Sequence, residues 1–115
     1  MITLMAEKFL IFQKIYDFIK EIYPVVNRFP KSHRPVIGKQ IEELSILILL
    51  KTMKANKLLN SQRIPLQKDI SDHIDSLRIL IRLSKDLRFI NVKRYLLLVV
   101  QLNEIGKMFS CWREK

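Results

Sequence analysis

Cysteine, glycine and proline are all scarce in this chain. Its 115 residues include 1 cysteine, 2 glycines and 4 prolines. A single thiol, Cys111, cannot form a disulfide within the chain and cannot build a cysteine-rich metal site. So few glycines and prolines leave little turn-forming sequence, which argues against an all-β domain. The composition therefore favours long helices.

Long hydrophobic runs are also missing. The longest stretches without a charged residue are 44–50 and 95–103, and a membrane-spanning helix needs roughly 20 apolar residues. Glu7 and Lys8 interrupt the apolar N-terminal residues, and no small-residue cleavage site follows them. We therefore expect no segment that crosses a membrane, no signal peptide and a cytoplasmic location.

Acidic residues are outnumbered. The chain has 11 Asp and Glu against 21 Lys and Arg, which gives a net charge of +10. A surplus of this size on a small protein attracts polyanions, so nucleic acid, an acidic protein and an anionic membrane surface all fit as partners. Apolar residues make up 49% of the chain, which is enough for a hydrophobic core. We expect residues 1–115 to form one domain.

Four segments show the apolar spacing that is typical of helices, and most of the helix-breaking residues lie between them. Asn91 can cap the last helix. Because the helices have similar lengths and short connections, we predict an all-α, antiparallel up-down-up-down four-helix bundle. The predicted helices span about residues 6–27, 35–59, 66–88 and 92–112, with a break at Asn60, Ser61 and Pro65, and the core stripe of the third contains Ile70, Ile74, Leu77, Leu80, Ile81, Ser84 and Leu87.

The second and fourth predicted helices are apolar on two sides when residues are placed at about 100° intervals. A helix of this kind is usually buried on two sides, and a second apolar stripe usually marks an interface. We therefore expect a homo-oligomer. The predicted core faces are Ile37, Ile41, Leu44, Leu47, Ile48 and Ala55 on the second helix and Val92, Tyr95, Leu96, Val99 and Leu102 on the fourth; the candidate interface residues are Ile46, Leu49, Met53, Leu98, Ile105 and Trp112.

A group of cations on the third helix, Arg78, Arg82 and Lys85, lies within about 60° of arc. We call these three residues the ridge. Lys93 and Arg94 open the fourth helix just beyond it. Guanidinium groups bind phosphates bidentately, and lysine ammonium groups bind them as point charges. These five residues are therefore candidates for binding nucleic acid. No aromatic residues alternate with the ridge cations, which predicts salt-dependent contacts to the nucleic-acid backbone without sequence specificity.

The sequence contains no constellation that indicates catalysis. Asp69, Asp72, His73 and Asp75 form the main acidic cluster, but a di-metal bundle needs Glu and Glu-x-x-His pairs from several helices. His33 has no serine, cysteine or acid arranged as nucleophile and base. A glycine-rich phosphate loop is missing as well. We therefore expect no enzymatic activity, no metal and no cofactor.

Several short motifs together resemble one known family. They are RFPKSHR at 28–34, GKQIE at 38–42, LIRLSKDL at 80–87, and LNEIGKM at 102–108 with Trp112. In their spacing, over residues 16–112, the chain resembles the accessory variability determinant proteins of diversity-generating retroelements.

This resemblance implies a four-helix bundle that assembles into a basic, ring-shaped homopentamer. It also implies association with a reverse transcriptase and its template RNA, with DNA as a second nucleic-acid candidate, in support of mutagenic reverse transcription and retrohoming. Carried over by position, Arg78, Arg82 and Lys85 match basic helix positions that the family uses to bind partners.

Two alternatives remain open at this point. Helical bundle proteins encoded in intervening sequences of bacterial ribosomal RNA genes are similar to the same family and share the scaffold. A structural oligomeric adaptor, whose charge serves acidic protein partners without specific nucleic-acid binding, also fits the composition.

Overall fold

The computed structural model describes the backbone of residues 3–113 and the side chains of 9–59 and 61–112. Residues 3–113 form four long helices and no strand, which confirms the predicted all-α class. Helix α1 spans Thr3–Asn27, α2 spans Lys39–Asn56, α3 spans Asn60–Asp86 and α4 spans Val92–Arg113, and a π-helical segment, Arg34–Gly38, leads directly into α2.

The break between α2 and α3 lies earlier than predicted. We expected it around residues 60–65, but the turn is formed by residues 57–59. The carbonyl of Leu59 accepts a hydrogen bond from the N–H of Gln62 at 2.9 Å, and Gln62 Oε1 accepts one from the N–H of Leu59 at 3.3 Å. These bonds start the helix ahead of Pro65, which is tolerated close to a helix start because its ring already has a helical φ.

The turn between α3 and α4 is closed by two capping arrangements. Arg88 has a φ of 66°, and the N–H of Phe89 donates to the carbonyl of Ser84 at 2.8 Å, as in a Schellman motif. At the start of α4, the N–H of Arg94 donates to Asn91 Oδ1 at 2.8 Å. This bond confirms the predicted cap and fixes where α4 begins.

Buried side chains from all four helices form one core. Most of the predicted stripe of α3 is buried, whereas Leu80 is half-buried and Leu87 is exposed. The buried apolar residues on the helices are Ile11, Ile15, Phe18, Ile22, Val25 and Val26 on α1, Ile41, Ile48 and Ala55 on α2, Ile70, Ile74, Leu77 and Ile81 on α3, and Leu98, Leu102, Ile105, Phe109 and Trp112 on α4.

Two small polar residues occupy core positions on α2. Ser45 and Thr52 are buried, and their hydroxyls donate to the carbonyls of Ile41 at 2.8 Å and Ile48 at 2.7 Å. Because these bonds satisfy the hydroxyls within the helix, burial carries no unpaired donor. Leu47, which we had predicted to be in the core, is exposed instead.

The core face of α4 is only partly the predicted one: Leu102 is buried as expected, but Val92 and Leu96 are exposed. Leu98, Ile105 and Trp112 were assigned to a second, outward stripe, but they are at most 3% exposed. That assignment is wrong because residues 98, 102, 105, 109 and 112 follow a spacing of four and three that turns them all toward α1 and α3. The exposed apolar side chains of α4 are instead Val92, Leu96, Leu97 and Val100.

Polar contacts tie neighbouring helices together outside the core. Lys14 on α1 and Glu104 on α4 form an ion pair at 3.0 Å. Lys51 on α2 reaches Asp69 on α3 at 3.4 Å. These contacts join helix pairs that also share the apolar core, in a body of 46 × 23 × 18 Å.

Candidate nucleic-acid and partner interface

The ridge lies beside α4, and Arg78 is bound to its own chain. Its guanidinium donates to Asp75 Oδ1 at 2.9 Å and to Asn103 Oδ1, on α4, at 3.2 Å. Gly106 makes room for this arrangement, since a Cβ added there would lie 2.6 Å from Arg78 Nη2. Arg78 therefore bridges two helices.

The other two ridge cations differ from one another. Lys85 is half-buried, with its ammonium 4.7 Å from the centre of the Tyr95 ring and 3.3 Å from Asp86 Oδ1. Arg82 is exposed and forms no ion pair with any described residue. Arg82 is thus the ridge residue most accessible to a phosphate, because binding one would break no existing contact.

The two cations at the start of α4 point in different directions. Arg94 forms an ion pair with Glu21 of α1 at 3.6 Å. Lys93 is exposed, and no acid of the described part of the chain pairs with it. The contact between Lys85 and Tyr95 brings the end of the ridge next to this turn of α4, but Arg94 faces α1. Three of the five predicted cations, Arg78, Lys85 and Arg94, are therefore already in contact with other residues of the chain.

The three candidate interface residues of α2 lie at or near the surface. Met53 is exposed, Ile46 is half-buried, and Leu49 is half-buried against the core. Ile46 lines an open pocket together with Tyr23 of α1. Burial raises the pKa of the Tyr23 hydroxyl, and the negative charge of Glu42 on α2 raises it further. Exposed aromatic side chains of α1, Phe9 and Tyr16, add to the apolar surface of α1 and α2.

A polar contact joins α2 to α3 at His73. Lys51 Nζ lies 2.9 Å from His73 Nε2 and 3.4 Å from Asp69 Oδ2. Burial lowers the pKa of His73, and the charge of Lys51 lowers it further, against the opposing effects of Asp69 and Asp72. Neutral His73 can accept a hydrogen bond from the Lys51 ammonium, which explains why a lysine is tolerated beside the core stripe.

The structure adds an aromatic group at the end of the molecule that contains the α3–α4 turn. The His33 ring lies 4.8 Å from the Phe89 ring, and Phe29 lies 5.3 Å from Phe89 on its buried side. From its sequence context, His33 was predicted only to lack the partners of a catalytic histidine. Phe89 lies 56 residues further along the chain, so local spacing could not reveal its contact with His33. The signal that could have drawn attention to His33 was the motif at 28–34, where cations flank an aromatic residue and a histidine.

Metal-ligand clusters and membrane-spanning helices are both absent from the described residues. Among them there is no group of three or more His, Cys, Asp or Glu residues that could hold a metal ion. None of the described helices is both long enough and apolar enough to span a bilayer.

Most of the chain matches one known protein family. A family described as bAvd-like matches residues 9–115 of the chain. No curated protein matches the sequence, and no solved structure matches either.

Proposed function

Because the chain belongs to the bAvd-like family, the accessory variability determinants of diversity-generating retroelements, we propose that it is a non-enzymatic accessory subunit. It binds the reverse transcriptase and the template RNA of its element and so supports mutagenic reverse transcription and retrohoming. The family match, which spans nearly the whole chain, is the observation that carries this proposal. We propose that this subunit acts in the cytoplasm.

The charge distribution supports the nucleic-acid part of the proposal. The net charge is +10, and Arg82 and Lys93 are exposed without ion-pair partners in the described structure. Cations of this kind bind phosphates at the expense of water and counterions alone, which makes affinity strongly salt-dependent. RNA is the proposed ligand, with DNA as a second candidate. The exposed ridge residue also remains a candidate contact for the reverse transcriptase.

The scaffold that we propose is a single domain with up-down-up-down antiparallel helices. Short connections between successive helices support this order. So do the contacts between α1 and α4, in which the pair of Lys14 with Glu104 and the pair of Glu21 with Arg94 run in opposite chain directions. This arrangement exposes one flank of every helix to possible partners.

The exposed apolar side chains support self-association into a homo-oligomer. The form that we propose is the pentamer that the family resemblance implies. They occur on different helices, so two unlike surfaces are available. Unlike surfaces that bind head to tail generate a closed ring when the rotation between copies closes. The candidate surface residues are Phe9, Tyr16, Ile46, Leu50 and Met53 on α1 and α2, and Val92, Leu96, Leu97 and Val100 on α4.

Capture of the reverse transcriptase and the template RNA by tagged protein tests the main proposal. The variant to compare is the double charge reversal Arg82→Glu and Lys93→Glu, because both side chains are exposed and neither makes an ion pair within the described chain. Arg78 and Lys85 are left unchanged because they contact Asn103 and Tyr95. We expect wild type to capture both partners and the double variant to lose most of the RNA.

The matched control reverses two other exposed cations, Lys54→Glu and Lys68→Glu, neither of which forms an ion pair within the described part of the chain. It changes the net charge by the same amount, so a loss confined to the first variant identifies the surface and not the total charge. Circular dichroism confirms that each variant is folded. If wild type captures neither the enzyme nor its RNA, the proposed function is wrong.

Light scattering tests self-association separately. We expect wild type at micromolar concentration to have the mass of an oligomer, and Leu96→Glu with Val100→Glu to have the mass of a single chain, because these side chains are exposed in the monomer. A monomeric wild type would contradict the oligomer proposal and leave RNA binding open.

A structural adaptor without specific RNA affinity is the second candidate, and the exposed apolar residues of α1, α2 and α4 favour it. It predicts that the reverse transcriptase is captured equally well after ribonuclease treatment and that the double charge reversal affects the enzyme and the RNA alike.

A further inference from the structure

Three rings form a short ladder from the core to the surface near the α3–α4 turn. Phe29 is buried, Phe89 is half-buried, and His33 is exposed. Phe29 and Phe89 are tilted by 49° at 5.3 Å between ring centres, and His33 and Phe89 by 31° at 4.8 Å. One face of the His33 ring therefore rests on Phe89, and its exposure leaves the other face open to a flat ligand.

The backbone holds His33 in this position. Its N–H donates to the carbonyl of Pro30 at 2.9 Å, and its own carbonyl accepts from Ile37 at 3.0 Å at the start of the π-helical segment. Pro30 and Pro35 restrict the chain on either side because the proline ring fixes φ. A ring held by its backbone and by an aromatic neighbour loses little conformational entropy when it binds a ligand.

Cations surround this ladder on two sides. One open pocket, of about 550 Å³, is lined by Lys85, Arg88 and Phe89. A smaller pocket beside it is lined by Arg28, Phe89 and Arg94. Phe89 thus separates two groups of positive charge.

The two arginines nearest the ladder have no acid partner. Arg28 and Arg88 are exposed and make no ion pair within the described structure, whereas Glu21 binds Arg94 and Asp86 binds Lys85. Glu21 and Asp86 are therefore already engaged with other cations. Arg28 and Arg88 remain available to an anion.

Arg88 also occupies a position that usually belongs to glycine. Its φ is 66°, and its N–H donates to the carbonyl of Lys85 at 2.9 Å in the turn that ends α3. The left-handed conformation is strained for a residue with a Cβ, so glycine is the usual residue there. An arginine at this position directs a cation out of the turn beside Phe89.

We infer that Arg28, His33, Arg88 and Phe89 form a binding site for single-stranded nucleic acid, which we call the loop-end site. One unpaired base stacks on the open face of His33, while Arg28 and Arg88 contact the flanking phosphates. A paired base inside a duplex has both faces covered by its neighbours, so the site selects single strands. This inference rests on the proposed function and adds a base-stacking contact that the ridge lacks.

A single-stranded 12-mer RNA that contains 2-aminopurine tests the stacking, because stacking on an aromatic ring quenches the fluorescence of this base. We expect the full-length protein to quench it and to bind the strand more tightly than a duplex of the same sequence. His33→Ala should abolish the quenching and weaken binding by about 5- to 150-fold, the range that loss of one base–aromatic stack gives. His33→Phe should restore both, since it restores a ring.

The phosphate contacts are tested by the salt dependence of binding. We expect Arg28→Gln and Arg88→Asn each to reduce the slope of log affinity against log salt by about 0.7, the value for one phosphate contact with a single strand. Asparagine is chosen at 88 because it tolerates the left-handed backbone. Lys68→Gln, an exposed lysine on α3 without an ion pair in the described chain, is the matched control and should leave the slope nearly unchanged.

The outcomes separate the inference from the proposed function. If wild type binds the strand without quenching, or if His33→Ala binds as wild type does while melting at the same temperature, the loop-end site is wrong and the proposed function stands. Equal affinity for single strand and duplex would also overturn the loop-end site. If wild type binds no RNA even at low salt, both are overturned.

Discussion

The ridge and the loop-end site are both basic, but they differ in how much their cations already do for the fold. In the ridge, Arg78 bridges α3 and α4 through Asp75 and Asn103, and Lys85 lies over Tyr95. In the loop-end site, Arg28 and Arg88 are exposed, and no acid among the described residues pairs with them.

This difference matters because binding is measured against the unbound state. Arg78 already donates to Asp75 and Asn103, so its charge is partly offset, and any reorientation toward a phosphate exchanges old hydrogen bonds for new ones. Arg28 and Arg88 exchange water and counterions for the phosphate. Cations with the same formal charge can therefore contribute unequally to affinity.

The largest expected effect compares the two groups directly. We expect Arg28→Gln with Arg88→Asn to weaken single-stranded RNA binding on the order of tenfold at moderate salt, because two phosphate contacts are lost. Arg78→Gln with Lys85→Gln removes the same charge and should weaken binding by less than about threefold. Fluorescence anisotropy at several salt concentrations measures both. An equal or larger loss from the ridge pair would contradict the comparison.

Stability should show the opposite order. Arg78→Gln should lower the free energy of unfolding by about 1 kcal/mol, because hydrogen bonds to Asp75 and Asn103 are lost at a partly exposed site. Arg82→Gln, on the same helix, should change it by less than about 0.5 kcal/mol, because the side chain is exposed and unpaired in the described structure. Urea unfolding distinguishes the two, and equal effects would show that the contacts of Arg78 contribute little.

A third cation, Lys51, extends the comparison to α2. Burial and Lys51 lower the pKa of His73, so the unfolded chain takes up a proton at this residue more readily than the folded chain. Neutral His73 therefore contributes its whole stabilisation above about pH 6.5, the pKa of histidine in the unfolded chain, and this stabilisation is lost as the pH falls below that value. Unfolding free energies measured between pH 7.5 and 5 should decrease less in His73→Gln than in wild type. Parallel curves for the two proteins would rule this out.

The smallest expected effect comes from making the ridge more like the loop-end site. A methyl group at Gly106 would displace the guanidinium of Arg78, a flexible side chain, from the surface of α4. Gly106→Ala gains up to about 1 kcal/mol in helix propensity and loses part of the Arg78 contacts, so its stability should stay within about 1 kcal/mol of wild type. The released arginine should raise RNA affinity by less than threefold, on the order of a fraction of one phosphate contact. A marked drop in affinity would mean that bound Arg78 is the active form.

Much of the fold could be predicted from local patterns. The stripe that contains Ile70, Ile74 and Leu77 is buried as expected, because its residues recur every three to four positions and most charged residues of α3 lie outside it. The cap at Asn91 also forms, since a side-chain cap depends on only a few neighbouring residues. By contrast, the start of α3 was misplaced because Pro65 was interpreted as a break.

The candidate site was less accessible to sequence reasoning. The exposed position of Arg82 follows from its helix face, but the contacts of Arg78 with Asn103 and of His33 with Phe89 join residues 25 and 56 positions apart. Neither contact partner can be identified from spacing within one helix, although the motif at 28–34 does place cations beside an aromatic residue and a histidine. Charge counting alone could not distinguish cations bound by the fold from cations available to a ligand.

The sequence by itself determined that this protein is helical and basic, because these properties depend on composition and on spacing within one helix. Tertiary structure decided which apolar face of α4 enters the core and which cations are already bound. Leu98, Ile105 and Trp112 are buried, while Val92, Leu96 and Val100 are exposed, although both sets are apolar. The physical reason is that a helix with two apolar sides has no preferred orientation until its neighbours bury one of them.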